Sequence, residues 1–475
     1  MGVEITKKDV TWSYVAKLFQ IGSGLVTLPL ILRLLTKEEV GMNYLMLTVS
    51  SIVGLMDFGF SPQFGRNFTY VNSGARKLCR EGVEEERGGS IDWHLLSVLI
   101  STARFVYRRL SVLALIVMLT FGTGYIWYLT EGFTNVNNSL YIWILYSFSK
   151  YFNIYFSYYS SLLTGSGMIR ESSQAAILSK SAYLVLCTVF LLLGWGLFAV
   201  VAANFIAPFV QRYVSYRAYF KPELKARLAE QTVSREDIRE TFSVIWFNAK
   251  KLGINFIGAY AVNKMGMFII GFFLPLATIG SYGLLTQLTT IVTGIANTMF
   301  VTYLPKVSNC RVTGDRPMLK RTISFSMLVG QIIMVAGALG IIFVAPYLLE
   351  LIKSQTMLPS RLVCVLYLVV VALELNHSEF ASVISTENKI PYVVPSLISG
   401  GVIVLLTFIA LKFTTLGLLG VVLVQGIVQA AYNNWRWPLW VFRELDMSIS
   451  EFYRTGFDSI LKTVSGLWKS MHRNA

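Results

Sequence analysis

The sequence predicts an all-α polytopic membrane protein with twelve transmembrane helices in two six-helix lobes around a central cavity. Composition is the first observation behind this. Of 475 residues, 54% are hydrophobic and only 14% charged, and the mean hydropathy is +0.58, too apolar for a soluble domain of this size. The second is the form of the apolar runs. They are continuous and about 20 residues long, as a bilayer-crossing helix requires, with none of the ten-residue alternation of a barrel strand. The third is their number and spacing, which repeats after six.

The spans are read as 11 to 34, 42 to 64, 105 to 129, 139 to 163, 168 to 194, 197 to 219, 242 to 273, 280 to 304, 322 to 350, 361 to 385, 390 to 412 and 416 to 440. They divide the chain into an N-terminal lobe (1–219), a linker (220–241), a C-terminal lobe (242–442) and an amphipathic tail (443–475). The net charge of +15 would suggest nucleic acid for a soluble protein, but here it is sorted by side, and no nucleic-acid partner is expected. One set of alternate loops holds Lys7, Lys8, Arg66, Arg76, Lys77, Arg80, Arg87, Arg170, Lys221, Lys225, Arg227, Arg235, Arg239, Lys306, Arg311, Arg316, Lys320 and Arg321. That set is expected in the cytoplasm, which places both termini inside. The opposite loops are short and nearly free of cations, leaving no room for an outer catalytic domain. The chain is therefore expected not to be an enzyme.

Cys79, Cys187, Cys310 and Cys364 are scattered, so neither a disulfide framework nor a zinc site is predicted. No metal or other cofactor is expected. The N-terminus does not read as a cleavable signal, which leaves targeting to the first span. Ser234 with Asp237, and Ser448 with Glu451, have capping-box spacing. In the tail, Ile449, Tyr453, Ile460, Val464, Leu467 and Met471 recur at helical spacing. That pattern suits an interfacial helix and, equally, an amphipathic tail docked on the cytoplasmic loops.

An internal repeat appears at an offset of 239, where "LTKEEVGMNYLMLTVSSIVG" (35–54) lies over "LPLATIGSYGLLTQLTTIVT" (274–293). Leu35, Gly41, Leu45, Ile52 and Val53 meet Leu274, Gly280, Leu284, Ile291 and Val292. Both stretches join the first and second helix of a half. A six-helix offset preserves topology, so the halves are parallel repeats, an arrangement suited to alternating access.

Charge within the spans carries the functional reading. A charged side chain at mid-bilayer costs about 2.5–3.5 kcal/mol on insertion scales, so a buried cation needs a partner or a wet cavity. Lys150 lies roughly 16 Å along the fourth span and Lys180 about 15 Å along the fifth, both too deep for easy snorkelling. Around Lys150, a polar stripe runs through Tyr146, Asn153, Ser157, Ser161 and Thr164. Ser173 shares a face with Lys180. The first span adds Lys17 and Gln20, the second Asn43, Ser50, Asp57 and Ser61 with Arg66 at its mouth, and the seventh Lys250, Lys251, Asn255 and Lys264.

By depth these residues form a cationic series across the membrane, and the expected passenger is an anion. Lys17, Lys250 and Lys251 fit that path and fit anionic headgroups equally well. The aromatics of the fourth span are expected mainly to meet lipid. In the tenth span, Glu374 and His377 stand one turn apart. They are candidates for ion coupling, with a polar pair that merely fixes helix contacts as the favoured reading. No Walker A loop is present, so direct ATP hydrolysis is not expected.

The stretch "GSGLVTLPLILRLLTKEEVGMNYLMLTVSSIVGLMDFGFSPQFGR" (22–66) resembles the opening of the Wzx-type polysaccharide flippases of the multidrug/oligosaccharidyl-lipid/polysaccharide (MOP) superfamily. The resemblance rests on "LTKEEVG" and on "DFGFSPQFGR", where Asp57, Gly59 and Arg66 match, with "ATIGSY" as the second turn. It implies a two-lobed bacterial inner-membrane carrier of undecaprenyl-diphosphate-linked oligosaccharide. O-antigen or related lipopolysaccharide biosynthesis would be the setting, with membrane lipids and polysaccharide polymerase machinery as partners. Twelve helices fit it better than the fourteen-helix lipid II flippase branch. A multidrug or cation antiporter of the same superfamily is the nearest alternative, and should show acidic cavity residues. A glycan polymerase or glycosyltransferase, and a non-transporting scaffold, are more distant.

Overall fold

A computed structural model describes residues 7–80, 90–263, 265–386 and 391–473. It is all-helical among the described residues, and its contacts divide it into two compact units. The first comprises Met1–Ile257 with Pro275–Gly280, and the second Gly258–Leu274 with Ser281–Ala475.

The helices are α1 (Lys7–Leu34), α2 (Lys37–Gly54), α3 (Phe60–Asn72), α4 (Trp93–Val117), α5 (Thr123–Leu129), α6 (Ser139–Phe156), α7 (Tyr158–Gly165), α8 (Ile169–Leu192), α9 (Leu197–Tyr219), α10 (Pro222–Ala229) and α11 (Arg235–Asn263). They continue with α12 (Met265–Ile270), α13 (Leu276–Thr313), α14 (Arg316–Leu339), α15 (Ala345–Leu351), α16 (Arg361–Ser385), α17 (Val393–Phe413), α18 (Leu418–Ala431), α19 (Asn433–Glu444) and α20 (Ile449–Arg473).

Eight helical stretches among the described residues are long and apolar enough to cross a membrane. The expected spans at 11–34, 139–163, 242–273 and 416–440 fall outside that set. Two of these are broken, at Ser157 between α6 and α7 and at Tyr432 between α18 and α19. Three of the four, 11–34, 139–163 and 242–273, carry Lys17, Lys150, Lys250, Lys251 and Lys264.

The second expected span is also not one helix. Phe58 and Gly59 take positive φ of 47° and 79°, breaking the chain between α2 and α3. Asp57 steadies the corner: its Oδ2 accepts from the Ser61 amide at 3.1 Å and its Oδ1 from the Tyr107 hydroxyl at 2.7 Å. Beyond it, α3 packs closely on α7. Small residues allow this, with Ser61 and Gly65 facing Ser161 and Gly165, and the two serine hydroxyls 3.0 Å apart.

Glu39 explains much of "LTKEEVG". Its Oε2 accepts from the Thr36 amide (2.9 Å) while Thr36 Oγ1 accepts from the Glu39 amide (3.2 Å), closing the capping box of α2. Its Oε1 accepts from the Leu197 amide at the start of α9 (3.0 Å). One carboxylate thus caps two helices. Glu39→Ala is expected to lower stability by about 1–2 kcal/mol, a cap-sized loss at each end partly offset by water; a thermal shift on detergent-solubilised protein measures it. Glu39→Gln should retain most of the stability.

The structure adds to the repeat. The third expected span of each half contains one π-helical turn, Met118–Gly122 and Gly340–Val344. The sixth span of each half is entered through a glycine of the same conformation, Gly196 (φ 55°, ψ −141°) and Gly417 (φ 54°, ψ −129°). Such backbone is open to glycine and strained for other residues. Gly41 and Gly280, the paired glycines of the repeat, lie against one another within the first unit. A Cβ on Gly41 would stand 2.1 Å from the Leu276 carbonyl oxygen, and one on Gly280 3.2 Å from the Gly41 nitrogen.

Both predicted caps form. Ser234 and Asp237 make reciprocal bonds of 2.9 and 3.1 Å at the start of α11, and these hold the exposed Asp237 carboxyl below the usual aspartate range. Ser448 Oγ accepts from the Glu451 amide at 3.0 Å, but the Glu451 carboxylate turns to Lys320 Nζ at 3.0 Å instead of completing a box.

Candidate functional site

Lys150 and Lys180 line one cavity of about 650 Å³ inside the first unit. α6 supplies Ser149, Lys150 and Asn153, α8 supplies Ser172, Ser173, Ser179 and Lys180, and α9 supplies Asn204 and Gln211. Gln20 of α1 and Thr164 of α7 complete the polar lining. No carboxylate is among these residues. The two ammonium groups lie close enough to repel one another. Each also stands over an aromatic ring one turn away, Lys150 Nζ 4.9 Å from the Tyr146 centroid and Lys180 Nζ 4.5 Å from that of Tyr183. A cation over a ring face is worth about 0.5–2 kcal/mol, which holds each lysine up without neutralising it.

The walls are held by hydroxyls bonded to backbone. Ser149 Oγ donates to the Asn204 carbonyl and Ser179 Oγ to the Ala207 carbonyl, both at 2.8 Å, joining α6 and α8 to α9. Pro208 of α9 also faces the cavity. Asn204, Ala207, Pro208 and Gln211 therefore form a stripe at i, i+3, i+4 and i+7. The spacing of this stripe is legible in the sequence, but with no charged residue in it nothing marks it apart from an ordinary packing face.

The other residues expected at the site lie elsewhere. Asp57 is engaged by Tyr107 and Ser61 and does not line the cavity. Arg66 is exposed on α3, and Lys250 is exposed on α11 with its Nζ 5.5 Å from the Phe247 centroid. Lys264 and the side chains of Lys17, Lys251 and Asn255 lie outside the described residues. The stripe read around Lys150 divides at the Ser157 break. Asn153 and Thr164 face the cavity, whereas Ser161 turns to Ser61. Most aromatics of this region do not meet lipid. Phe152 packs on Phe209 at 4.7 Å, Phe156 on the same ring at 5.6 Å, and Trp143 and Tyr146 are buried. Helix–helix packing absorbs them, with Tyr141 and Phe148 left exposed.

In the second unit, Glu374 and His377 do not pair. Glu374 Oε1 accepts from Gln425 Nε2 of α18 at 2.8 Å, and His377 Nδ1 is 2.8 Å from Asn434 Oδ1 of α19. Gln331 Nε2 of α14 donates to Asn376 Oδ1 between them at 2.9 Å. α16 is thereby tied to three helices by amide contacts, the arrangement of a packing device.

No protein-family model matches the chain, and no curated protein matches it. Solved structures do. An inward-facing multidrug resistance MATE family transporter of the MOP superfamily superposes with a TM-score of 0.64 at 15% identity, covering 93% of this chain and 99% of that one. The lipid II flippase MurJ, in an inward closed conformation, gives 0.62 at 13% identity, covering 94% and 90%. A MATE structure in complex with MaD3S gives 0.54 at 16%, covering 93% and 99%. The chain has the all-helical fold of these proteins.

Proposed function

We propose that the chain is a flippase of the Wzx type, carrying undecaprenyl-diphosphate-linked oligosaccharide from the inner to the outer leaflet of a bacterial cytoplasmic membrane by alternating access. Twelve crossings with both ends in the cytoplasm, as the Lys and Arg distribution implies, complete this reading. The observation that carries it is the cavity, where two lysines face hydroxyl and amide groups with no carboxylate beside them. Such a site suits a multiply charged anion and opposes a cation. A diphosphate entering the membrane loses hydration worth far more than any one contact, and two ammonium groups in a low-dielectric site offset part of that loss. The hydroxyl and amide lining matches sugar hydroxyls, while the lipid tail remains in the bilayer. O-antigen or a related lipopolysaccharide repeat unit is the proposed cargo class, and the polymerase that consumes it a partner.

The rival reading is a multidrug or cation antiporter, favoured by the likeness to the MATE transporter. Reconstitution separates the two. Vesicles containing the purified protein receive a fluorescent polyprenyl-diphosphate oligosaccharide, and an impermeant quencher reports its movement between leaflets. Tetraphenylphosphonium uptake is followed in parallel. Protein-dependent movement of the diphosphate lipid without cation uptake is expected. Cation uptake alone would establish the antiporter.

A further inference from the structure

The C-terminal helix α20 has three faces. At about 100° per residue, Phe452, Gly456 and Ser459 form the first, which is buried. Phe452 joins a core cluster with Phe380, Trp437 and Val441. Ile449, Tyr453, Phe457 and Leu461 form the second, each advancing about 40° on the last, and they are 62, 41, 51 and 66% exposed. Glu451, Arg454, Asp458 and Lys462 form the polar third.

The docking contacts fix how α20 lies. Glu451 bonds Lys320 Nζ at 3.0 Å, and eight residues later Ser459 Oγ accepts from Arg321 Nε at 3.2 Å. Eight residues span about 12 Å along α20, yet the partners are consecutive on α14. A helix running strictly alongside α14 would have moved about two turns, so α20 crosses α14 at an angle. Gly456 sits at the crossing, where a Cβ would stand 2.9 Å from the Ser324 carbonyl oxygen. The continuous run from Arg316 to Leu351 has 36 residues, about 54 Å; centred on a hydrocarbon core of about 30 Å, it puts Ser324, about 14 Å from its middle, near one membrane surface.

We infer that α20 is an interfacial helix that lies across the end of α14 and inserts Ile449, Tyr453, Phe457 and Leu461 into the lipid surface on the side where α14 begins. An apolar stripe beside a transmembrane bundle, on a helix lying across a spanning one and with its charges on the remaining face, is covered by the bilayer that surrounds that bundle. Arg454 borders the stripe, within reach of lipid phosphates. This reading needs only that α14 spans the membrane and is independent of the cargo.

Spin labels test it on the full chain in phosphatidylglycerol–phosphatidylcholine vesicles. Cys79 is exposed and the other three cysteines are buried, so Cys79→Ser gives the background for Tyr453→Cys, Phe457→Cys and Asp458→Cys. Labels at 453 and 457 are expected to collide at least about threefold more with oxygen than with a water-soluble nickel chelate, relative to 458. Equal accessibility at all three positions would overturn the inference. So would dipolar broadening between labels at 457 on two copies, which would make the stripe a dimer contact. Phe457→Asp gives a second readout. Its expected effect is faster protease cleavage after α19 in vesicles and little change in detergent; unchanged cleavage in vesicles would count against insertion.

Discussion

Lys150→Ala and Lys180→Ala are each expected to slow diphosphate-lipid movement by about tenfold or more, and the double variant further, while the protein stays folded. A charge-assisted hydrogen bond is worth about 1.5–3 kcal/mol, and 1.4 kcal/mol is tenfold in an equilibrium constant. Stability should respond differently. Each lysine stands over a tyrosine ring, which favours it, and faces the other lysine, which does not. These effects oppose one another, so the thermal midpoint of each single variant should move little or rise. A structural role for the lysines predicts the reverse pattern, lower stability with transport reduced only as the protein is lost. Lys→Met keeps the alkyl stem and removes the charge, and should behave like Lys→Ala if charge is what acts. Normal transport in both Met variants would remove the basis of the anion reading.

Lys150 and Lys180 were legible because each is a single cation far along an apolar span, where burial cost leaves few explanations. Their common cavity was not legible, because it depends on which faces of α6, α8 and α9 meet, and neighbouring spans in sequence do not state this. Asp57 shows a related limit. On an unbroken second span it shares a face with Ser50 and Ser61, but the positive φ at Phe58 and Gly59 turns it into a helix-corner brace. "DFG" carried that signal, since an aspartate ahead of a glycine is common where one helix ends and another is capped. Most aromatics of the fourth span are expected at lipid because they cover the surface left by the polar stripe, where aromatic residues commonly anchor. Phe205 and Phe209, on which Phe152 packs, sit more than fifty residues later on α9.

Gly165→Ala is expected to be the most damaging one-carbon change near the site. The added Cβ would stand 2.4 Å from the Gly65 carbonyl oxygen and 2.5 Å from Phe68 Cβ, so backbone and a buried side chain would both have to give way. Overpacking of this kind costs about 1–3 kcal/mol, and more where backbone is the obstacle. Separating α7 from α3 would also stretch the Ser61–Ser161 pair and move Thr164, which lines the cavity next to Gly165. The thermal midpoint should therefore fall by several degrees and transport should fall with it, unlike the lysine variants. Gly124→Ala is the control. It too lies in a helix, but nothing stands within 4 Å of its Cβ position, and alanine is intrinsically the better helix former by about 1 kcal/mol. A neutral or stabilised Gly124→Ala beside a destabilised Gly165→Ala assigns the loss to the close approach of α3 and α7. Equal behaviour of the two would show that the helices can separate at little cost.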